Sequence, residues 1–535
     1  MFDRRWPYHV WMRGRATRIT LLTVTIGLAG CSSGSGVSSQ SSKATTEETT
    51  AAVSVPSSSS EDVAPPPPAG SAPGPAPFEP GPFTWDPYSD QVDTATIEVP
   101  VDYANPDGDR FELFVARFRA LKQDERIGSL LVNPGGPGAG GSDFAVLAAQ
   151  IFDQEILDHF DIIGWDPRGT GESDPPIDCI DDYDAYFTAV DTTPSSPAEH
   201  ESLIDTAKSF ARECIAKNRA IIPFVGTNNS ARDMDTIRRA LDEDTISYFG
   251  FSYGSELGAA WATMFPGTVR AAVLDGASDP NAPLIESSLQ QITGFEQSVK
   301  TFLSRCSSDD TCLFHNDGDA QGAFERLMIS LDRNPIEGAP GRPKVNRDVA
   351  TTAVVQAMYH EQFWPSLENA LAAAQAGDGS GLLALHDSYY QRSFDGTHLN
   401  YLEAFQVISC ADTLDRQTVE EADAEEVRFH EAAPTLVPAD SAGSYFCTFF
   451  PTATDPRVRI TGSGAGPIVV IGTTGDPATP FDSTVRMSDV LEDGRLVIVE
   501  ADQHTGYGAN QCVIDAVNRY LVDLEAPRDG LECGA

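Results

Sequence analysis

A serine between two glycines is the residue of this sequence best suited to covalent chemistry. The motif Gly250-Phe-Ser-Tyr-Gly254 follows the apolar run 246–250 and opens a predicted helix over 253–265. In such a strand–turn–helix context, the glycines allow neighbouring backbone to approach closely, and the hydroxyl projects from the carboxyl edge of a sheet. Ser252 is therefore predicted to be a nucleophile that attacks a carbonyl carbon.

A serine nucleophile needs a histidine to take its proton and a carboxylate to orient that histidine. Of the six histidines after Ser252, only His504 directly follows a predicted parallel strand. Asp476 follows the preceding predicted strand, 28 residues before His504, which leaves room for one helix and one strand between them. Both side chains are therefore expected at the same edge of the sheet. The rival acid, Asp482, is assigned to the start of the intervening helix as a cap.

A glycine-rich loop is expected to stabilise the negative charge that develops on the substrate oxygen. Asn133-Pro-Gly-Gly-Pro-Gly-Ala-Gly-Gly141 follows the predicted strand 129–132, and such loops present backbone N–H groups toward the nucleophile. The partner donor is the amide of Tyr253, and Gly136 is our choice within the loop, with Gly135 the close alternative. A phosphate-binding loop is disfavoured because no Gly-Lys-Ser/Thr ending follows.

The elements around these motifs predict an α/β fold with a mostly parallel central sheet and helices on both faces. Two antiparallel strands, 94–102 and 111–118, are joined by a turn at 105–108. Short, nearly all-apolar runs follow, as expected of strands buried on both faces. These runs are 129–132, 160–164, 246–250, 269–274, 467–471 and 495–500.

Nearly two hundred residues separate the fourth and fifth of these runs, far more than a crossover between strands needs. Their pattern is largely helical, so we predict an inserted helical lid over 281–460. The hydrolytic core then comprises 83–280, with a helix over 229–241, and 461–535, which carries Asp476 and His504.

The N-terminus has the pattern of a bacterial lipoprotein. A basic segment precedes the apolar run 19–30, which is too short to span a bilayer and is typical of a signal peptide. Leu28-Ala-Gly-Cys31 resembles a lipobox, which implies cleavage before Cys31, lipidation of that cysteine, and anchoring at the extracytoplasmic face of the cell membrane. Residues 31–82, rich in Ser and Pro, are predicted to form a disordered tether.

Charge and cysteine content narrow the possible partners and the compartment. The 535 residues contain 79 Asp and Glu against 36 Lys and Arg, which argues against nucleic-acid binding. Besides Cys31 there are eight cysteines, an even number that indicates disulfides in an exported chain. No zinc-ligand spacing is present, so neither a metal nor a cofactor is expected. Pairing each cysteine with its neighbour is the simplest hypothesis: Cys179–Cys214, Cys306–Cys312, Cys410–Cys447 and Cys512–Cys533.

Together these motifs resemble one family, the secreted actinobacterial α/β-hydrolases that include tripeptidyl aminopeptidases and lipoprotein carboxylesterases and are similar to proline iminopeptidases. The resemblance covers roughly 83–535 and is loosest in the insertion. It implies a triad of Ser252, Asp476 and His504 beneath a lid. One departure is Gln503, where a glycine is common. The matching segments are 133–138, 164–173, 250–255, 273–276, 409–412, 476–480 and 503–506.

The substrate is the least determined part of the sequence interpretation. An exopeptidase must recognise a free α-amine, which calls for carboxylates beside the nucleophile. The candidates are Glu256, one helical turn after Ser252, and Glu403 and Asp412 in the predicted lid; each could equally be a solvated or capping acid. If none faces the site, a carboxylesterase acting on short acyl esters is favoured. A non-catalytic binding lipoprotein on the same fold would normally lack part of the triad, and here every part is present.

Overall fold

The computed structural model describes residues 78–534. The predicted signal peptide, Cys31 and nearly all of the predicted tether lie outside the described residues. Within residues 78–534, no helix is long and apolar enough to cross a membrane. No group of three or more His, Cys, Asp or Glu in that part of the chain is arranged to hold a metal ion.

A single sheet of ten strands forms the centre of the described chain, in the order β1-β2-β3-β5-β4-β6-β7-β8-β9-β10. The pairs that join β1, β2, β3 and β5 are antiparallel, and all later pairs are parallel. The strands are β1 (Asp86–Pro87), β2 (Val92–Pro100), β3 (Arg110–Phe118), β4 (Gly128–Asn133), β5 (Phe160–Trp165), β6 (Ile246–Phe251), β7 (Val269–Asp275), β8 (Ile468–Thr473), β9 (Gly494–Val499) and β10 (Leu531–Cys533).

Helices cover both faces of the sheet, as expected for a mostly parallel sheet. The α-helices are α1 (Ser142–Val146), α2 (Ala148–Ile151), α3 (Gln154–His159), α4 (Pro197–Asn218), α5 (Thr227–Ala240), α6 (Tyr253–Met264), α7 (Leu284–Ser308), α8 (Ala320–Arg333), α9 (Arg347–Met358), α10 (Trp364–Gln375), α11 (Ser380–Tyr389), α12 (Tyr401–Asp412), α13 (Val419–Ala432), α14 (Phe481–Val490) and α15 (Gln511–Asp523).

The apolar runs of the sequence became the central strands because both of their faces are covered. Every residue of β4, β5, β6 and β8 is buried, which removes the polar alternation of a half-exposed strand. Strand ends differ from the predictions by one or two residues, and the short edge strands β1 and β10 were not predicted. Helix α5 begins at Thr227 rather than at Asn229, and its N-cap position, Gly226, has no side chain to cap it.

Seven helices, α7 to α13, lie between β7 and β8 in the insertion that the sequence predicted. Helices α7 to α11 share an apolar core of their own, in which Phe302, Phe314 and Phe324 are almost fully buried. The buried apolar residues of α12 instead pack into the core that contains the central strands. The carboxyl edge of the sheet and this helical layer together enclose the region where the predicted site residues lie.

Within residues 78–534 there are four disulfides, and they join the neighbouring pairs that chain order predicted. Two of them lie within the insertion, Cys306–Cys312 and Cys410–Cys447. The first joins cysteines 6 residues apart in the sequence, and the second joins cysteines 37 residues apart. Cross-links of this kind stabilise a fold chiefly by reducing the freedom of the unfolded chain.

A buried ion pair joins the first antiparallel strands to α5. The guanidinium of Arg168 is fully buried and donates to both carboxylate oxygens of Asp233, at 2.7 and 2.5 Å. Tyr103 donates to the same carboxylate at 2.7 Å, and the remaining guanidinium N–H groups reach main-chain carbonyls of Pro100, Val101 and Phe224. Arg168, the arginine of the motif 164–173, therefore has a structural role.

Asp233→Ala is expected to lower the free energy of unfolding by about 3–5 kcal/mol, because it leaves the Arg168 guanidinium buried without its counter-charge. Denaturant unfolding followed by circular dichroism measures this change. Glu337→Ala, which breaks an exposed pair with Lys344, is the matched control and should cost less than about 1 kcal/mol. Equal effects of the two substitutions would contradict this role for the buried pair.

Candidate active site

Ser252 occupies the turn between β6 and α6 in a conformation that a residue with a side chain rarely adopts. Its φ is 54° and its ψ is −127°, and such strained residues cluster at functional sites. The main chain holds it there, because Ser252 N–H donates to the carbonyl of Asp275 at 2.8 Å and Ser255 N–H donates to the carbonyl of Ser252 at 2.8 Å.

The two glycines of the motif are required by close backbone contacts. A Cβ at Gly250 would lie 2.2 Å from the carbonyl oxygen of Gly254, and a Cβ at Gly254 would lie 2.7 Å from the carbonyl oxygen of Asn133. Either contact is far inside van der Waals distance. The motif therefore gives a sharp strand-to-helix turn with the serine at its tip, as the spacing predicted.

His504 and Asp476 are in direct contact. Nδ1 of His504 lies 2.9 Å from each carboxylate oxygen of Asp476, and the His504 side chain is only 9% exposed. Asp476 also accepts N–H groups from Ala478 and Thr479, at 2.9 and 2.8 Å, which fix its orientation. Asp482 is exposed in the first turn of α14, and no hydrogen bond joins it to His504.

The contact with Asp476 determines which nitrogen of His504 carries the proton. Because an ionised carboxylate only accepts hydrogen bonds, Nδ1 is the protonated nitrogen of the neutral ring. Nε2 is buried and has no hydrogen-bond partner within residues 78–534, so it is free to receive a proton. Burial acts to lower the pKa of His504, but the charge and hydrogen bond of Asp476, with the charge of Asp275, more than offset it and raise that pKa.

Ser252 and His504 lie at the same strand end. Ser252 N–H binds the carbonyl of Asp275, and the next residue, Gly276, lies so close to the imidazole that a Cβ there would be 3.1 Å from His504 Cε1. No hydrogen bond joins Ser252 Oγ to His504 Nε2 in this structure. Such bonds are often long in the absence of substrate and shorten when substrate binds.

The glycine-rich loop packs directly against the serine. A Cβ at Gly135, whose φ is 103°, would lie 2.5 Å from the carbonyl oxygen of Phe251 and 2.8 Å from Ser252 Cβ. The N–H of Gly135 donates to Asn133 Oδ1 at 2.9 Å, which occupies it. Gly136 lines the same cavity as Ser252 and Tyr253 and is therefore the better placed of the two glycines for an oxyanion.

A cavity of about 700 Å³ opens beside Ser252, between the sheet edge and the insertion. Apolar side chains of the insertion, Phe405 and Phe446, contribute to its wall. Its ionisable lining is mostly acidic, with four carboxyl groups and two guanidinium groups: Glu256, Asp279, Asp412, Asp415, Arg457 and Arg459.

The three acids predicted to bind a substrate amine have different surroundings. Glu256 lines the cavity but pairs with Arg457 and with the hydroxyl of Ser278. Asp412 also lines it and accepts the N–H of Thr227 at 2.7 Å, and burial raises its pKa to about 7. Glu403 lies outside the cavity. Its carboxylate is buried against the N–H of Cys179, which corrects the prediction that it faces substrate.

Sequence reasoning missed several residues that shape the site. Tyr359 lies in the insertion, and its main-chain carbonyl accepts the main-chain N–H of His504 at 2.8 Å. Its ring packs edge-on against the imidazole. Thr227 hydrogen-bonds both Asp412 and the hydroxyl of Tyr253, and so connects the insertion to the residue after the nucleophile. Asp275 could have been recognised, because a carboxylate directly ends the strand next to the nucleophile strand; nothing in the local sequence marks Tyr359 or Thr227.

Comparisons with known proteins identify the family of the chain. The α/β-hydrolase fold family matches residues 128–509. Serine protease Hip1 of Mycobacterium tuberculosis is 34% identical over 82% of this chain and 86% of its own, and Carboxylesterase B of the same species is 37% identical over the same shares. Tripeptidyl aminopeptidase of Streptomyces coelicolor is 28% identical over 80% of both chains.

The fold and the serine turn define a hydrolase of the α/β class. The chain belongs to the α/β-hydrolase family, and within it to the actinobacterial group of these relatives. It is a serine hydrolase.

Gly135→Ala is expected to reduce hydrolysis of an activated ester by at least about 100-fold, because the added methyl group must displace Ser252 or the backbone beside it. Gly267→Ala is the matched control, since a Cβ at Gly267 meets nothing within 4 Å. Initial rates and thermal melting of both variants decide the matter. A Gly135→Ala enzyme as active as Gly267→Ala would contradict the tight contact between the loop and Ser252.

Proposed function

We propose that the protein is an exported Ser-His-Asp hydrolase that releases amino acids or short peptides from peptide N-termini. The observation that carries the substrate class is the acidic cavity beside Ser252. The N-terminal amine of a peptide is largely protonated at neutral pH, and carboxylates stabilise it by charge-assisted hydrogen bonds. A neutral acyl ester gains nothing from such a lining.

In the proposed reaction, Ser252 Oγ attacks the scissile carbonyl while His504 Nε2 takes the hydroxyl proton. Asp476 keeps the imidazole in the required tautomer and stabilises its cation. The N–H groups of Gly136 and Tyr253 receive the oxyanion, each contributing on the order of 3 kcal/mol in the transition state. His504 then gives its proton to the leaving amine. A water molecule, deprotonated by His504, attacks the acyl carbon, and His504 returns that proton to Ser252 Oγ as the bond between Oγ and the acyl group breaks.

Two of the cavity carboxyl groups are better suited than the others to bind an amine. Glu256 forms an ion pair with Arg457, and Asp412 is hydrogen-bonded to Thr227. Among the described residues, the Asp415 side chain accepts one hydrogen bond, from the main-chain N–H of Leu284 at 3.2 Å. Asp279 accepts the main-chain N–H of Asn281 at 3.0 Å. The side-chain amide of Gln290 lies 3.4 Å from Asp279 Oδ2, and the guanidinium of Arg486 lies 3.6 Å from the same oxygen. Asp279 and Asp415 are therefore our candidates for amine recognition. The names of two relatives, a serine protease and a tripeptidyl aminopeptidase, support a peptide substrate.

The second candidate function is a carboxylesterase. The pairing of Glu256 with Arg457 favours it, because this contact neutralises the cavity acid on the helix that Ser252 begins. The relative at 37% identity carries the name Carboxylesterase B. The two functions share the acyl-enzyme chemistry and differ in what the cavity recognises.

A paired assay of the full-length chain separates the two functions. We expect turnover of tripeptidyl or aminoacyl anilides with a free amine, and loss of that turnover when the amine is acetylated, because acetylation removes the positive charge. Initial rates on these anilides and on short p-nitrophenyl esters measure the preference. Ester turnover without any anilide turnover would exclude the peptidase function.

Ser252→Ala is the control for that assay and should reduce every activity by about 10⁶-fold, to near background. Asp482→Asn is its matched surface control and should leave the rates unchanged. Activity that survives in Ser252→Ala would exclude the whole proposed site.

We also propose export and lipid anchoring through Cys31. Four disulfides support an oxidising, extracytoplasmic compartment. Cys31→Ala is expected to move the protein from the detergent phase to the aqueous phase in a phase-partition experiment, because it removes the acylated residue. Unchanged partitioning of Cys31→Ala relative to the wild type would contradict the anchor.

A further inference from the structure

The residue after His504 has a strained backbone. Thr505 has a φ of 68°, a left-handed conformation that is a genuine outlier for a β-branched residue. Such conformations are energetically unfavourable and persist only where the surroundings hold them. Because Thr505 directly follows His504, its conformation sets the direction of the main chain after His504.

Two carboxylates bind the main-chain N–H groups of this turn. Thr505 N–H donates to Asp476 at 3.2 Å. The next two N–H groups, of Gly506 and Tyr507, each donate to a different oxygen of Asp275 at 2.7 Å. Asp275 is fully buried, so water does not compete for these two hydrogen bonds. Asp476 is already assigned to the triad, whereas Asp275 has no role in the proposed reaction.

Asp275 also holds the nucleophile through its main chain. Its carbonyl accepts the N–H of Ser252 at 2.8 Å, and Ser252 is itself strained at a φ of 54°. One residue at the end of β7 thus contacts the turn that carries Ser252 with its backbone and the turn that follows His504 with its side chain.

We propose that Asp275 is a positioning residue for hydrolysis: its carboxylate fixes the 504–507 turn so that His504 faces Ser252. This inference rests on the proposed function, because it assumes that His504 takes the proton of Ser252. It adds a second carboxylate to the site, one that binds main-chain amides instead of the imidazole.

The ionisable groups around His504 give the proposal a pH signature. Asp476 faces the ring from the loop after β8, Asp275 faces it from β7, and Tyr359 packs on it from the insertion. Burial raises the pKa of Asp275 to about 7, against the opposing effect of the Gly506 and Tyr507 amides. As pH falls through that range, Asp275 takes up a proton, and the protonated oxygen no longer accepts its N–H.

Two protonations therefore inactivate the wild type as pH falls, one at His504 and one at Asp275. The acidic limb of kcat/KM, which reports groups of the free enzyme, should approach a slope of two. Asp275→Asn removes one of these protonations and also the negative charge that raises the pKa of His504. Its acidic limb should have a slope of one and a midpoint at lower pH.

Asp275→Asn should also reduce kcat by about 100-fold with little change in KM, because an amide has one acceptor oxygen for two N–H groups and the turn shifts. The substrate is whichever ester or anilide the full-length wild type hydrolyses fastest. Asp482→Asn, an exposed acid near the same edge, is the matched control and should keep the wild-type rate and slope.

A folded Asp275→Asn enzyme with less than about a threefold loss, the range of an ordinary surface substitution, or with an unchanged acidic slope, would overturn the positioning role. If melting shows that Asp275→Asn does not fold, Asp275→Ser, which also removes the carboxylate, is measured in its place. A folded Asp275→Ser enzyme with the wild-type kcat would overturn the proposal. Inactive Ser252→Ala beside a fully active Asp275→Asn would refute this inference alone, whereas active Ser252→Ala would refute the proposed function.

Discussion

The conformation of Ser252, the proposed nucleophile, depends on how closely three segments of backbone approach one another at the carboxyl edge of the sheet. The end of β6, the start of α6 and the loop after β4 come within distances that leave no room for a Cβ at Gly135, Gly250 or Gly254. This crowding turns the chain sharply enough to expose Ser252 in a left-handed conformation. Once the serine is fixed in this way, the loop amides beside it are fixed as well, because the same contacts position both.

The insertion contributes residues to the proposed active site as well as lining the cavity beside Ser252. Its Tyr359 binds the main chain of His504, and its Asp412 is linked through Thr227 to Tyr253. In the proposed site, the sheet edge carries Ser252, Asp476 and His504. The segment between β7 and β8, with its loops as well as its helices, supplies most of the cavity wall and is linked to His504 and Tyr253. Substrate preference is therefore expected to vary among relatives with the insertion, because this segment supplies most of the cavity wall.

The sequence was sufficient for the central strands, the insertion, the disulfide pairs and the meeting of His504 with Asp476. Those features follow from apolar runs, strand order and loop length, all of which can be read from neighbouring residues or from the order of elements along the chain. The contacts of Glu403, Glu256 and Asp412 could not be foreseen, because they depend on side chains brought together from distant segments: Cys179, Arg457 and Thr227. The start of α5 was missed for a local reason, since Gly226 caps it without a side chain.

The account is tested most directly by identifying the residue that a serine-directed phosphonofluoridate modifies. The proposed mechanism predicts one phosphonyl group per chain, found by peptide mass spectrometry on Ser252, with modification slowed in Asp476→Asn because His504 then loses the carboxylate that holds its proton at Nδ1. Modification of a different residue, or an unmodified Ser252 in an enzyme that the reagent inactivates, would contradict it.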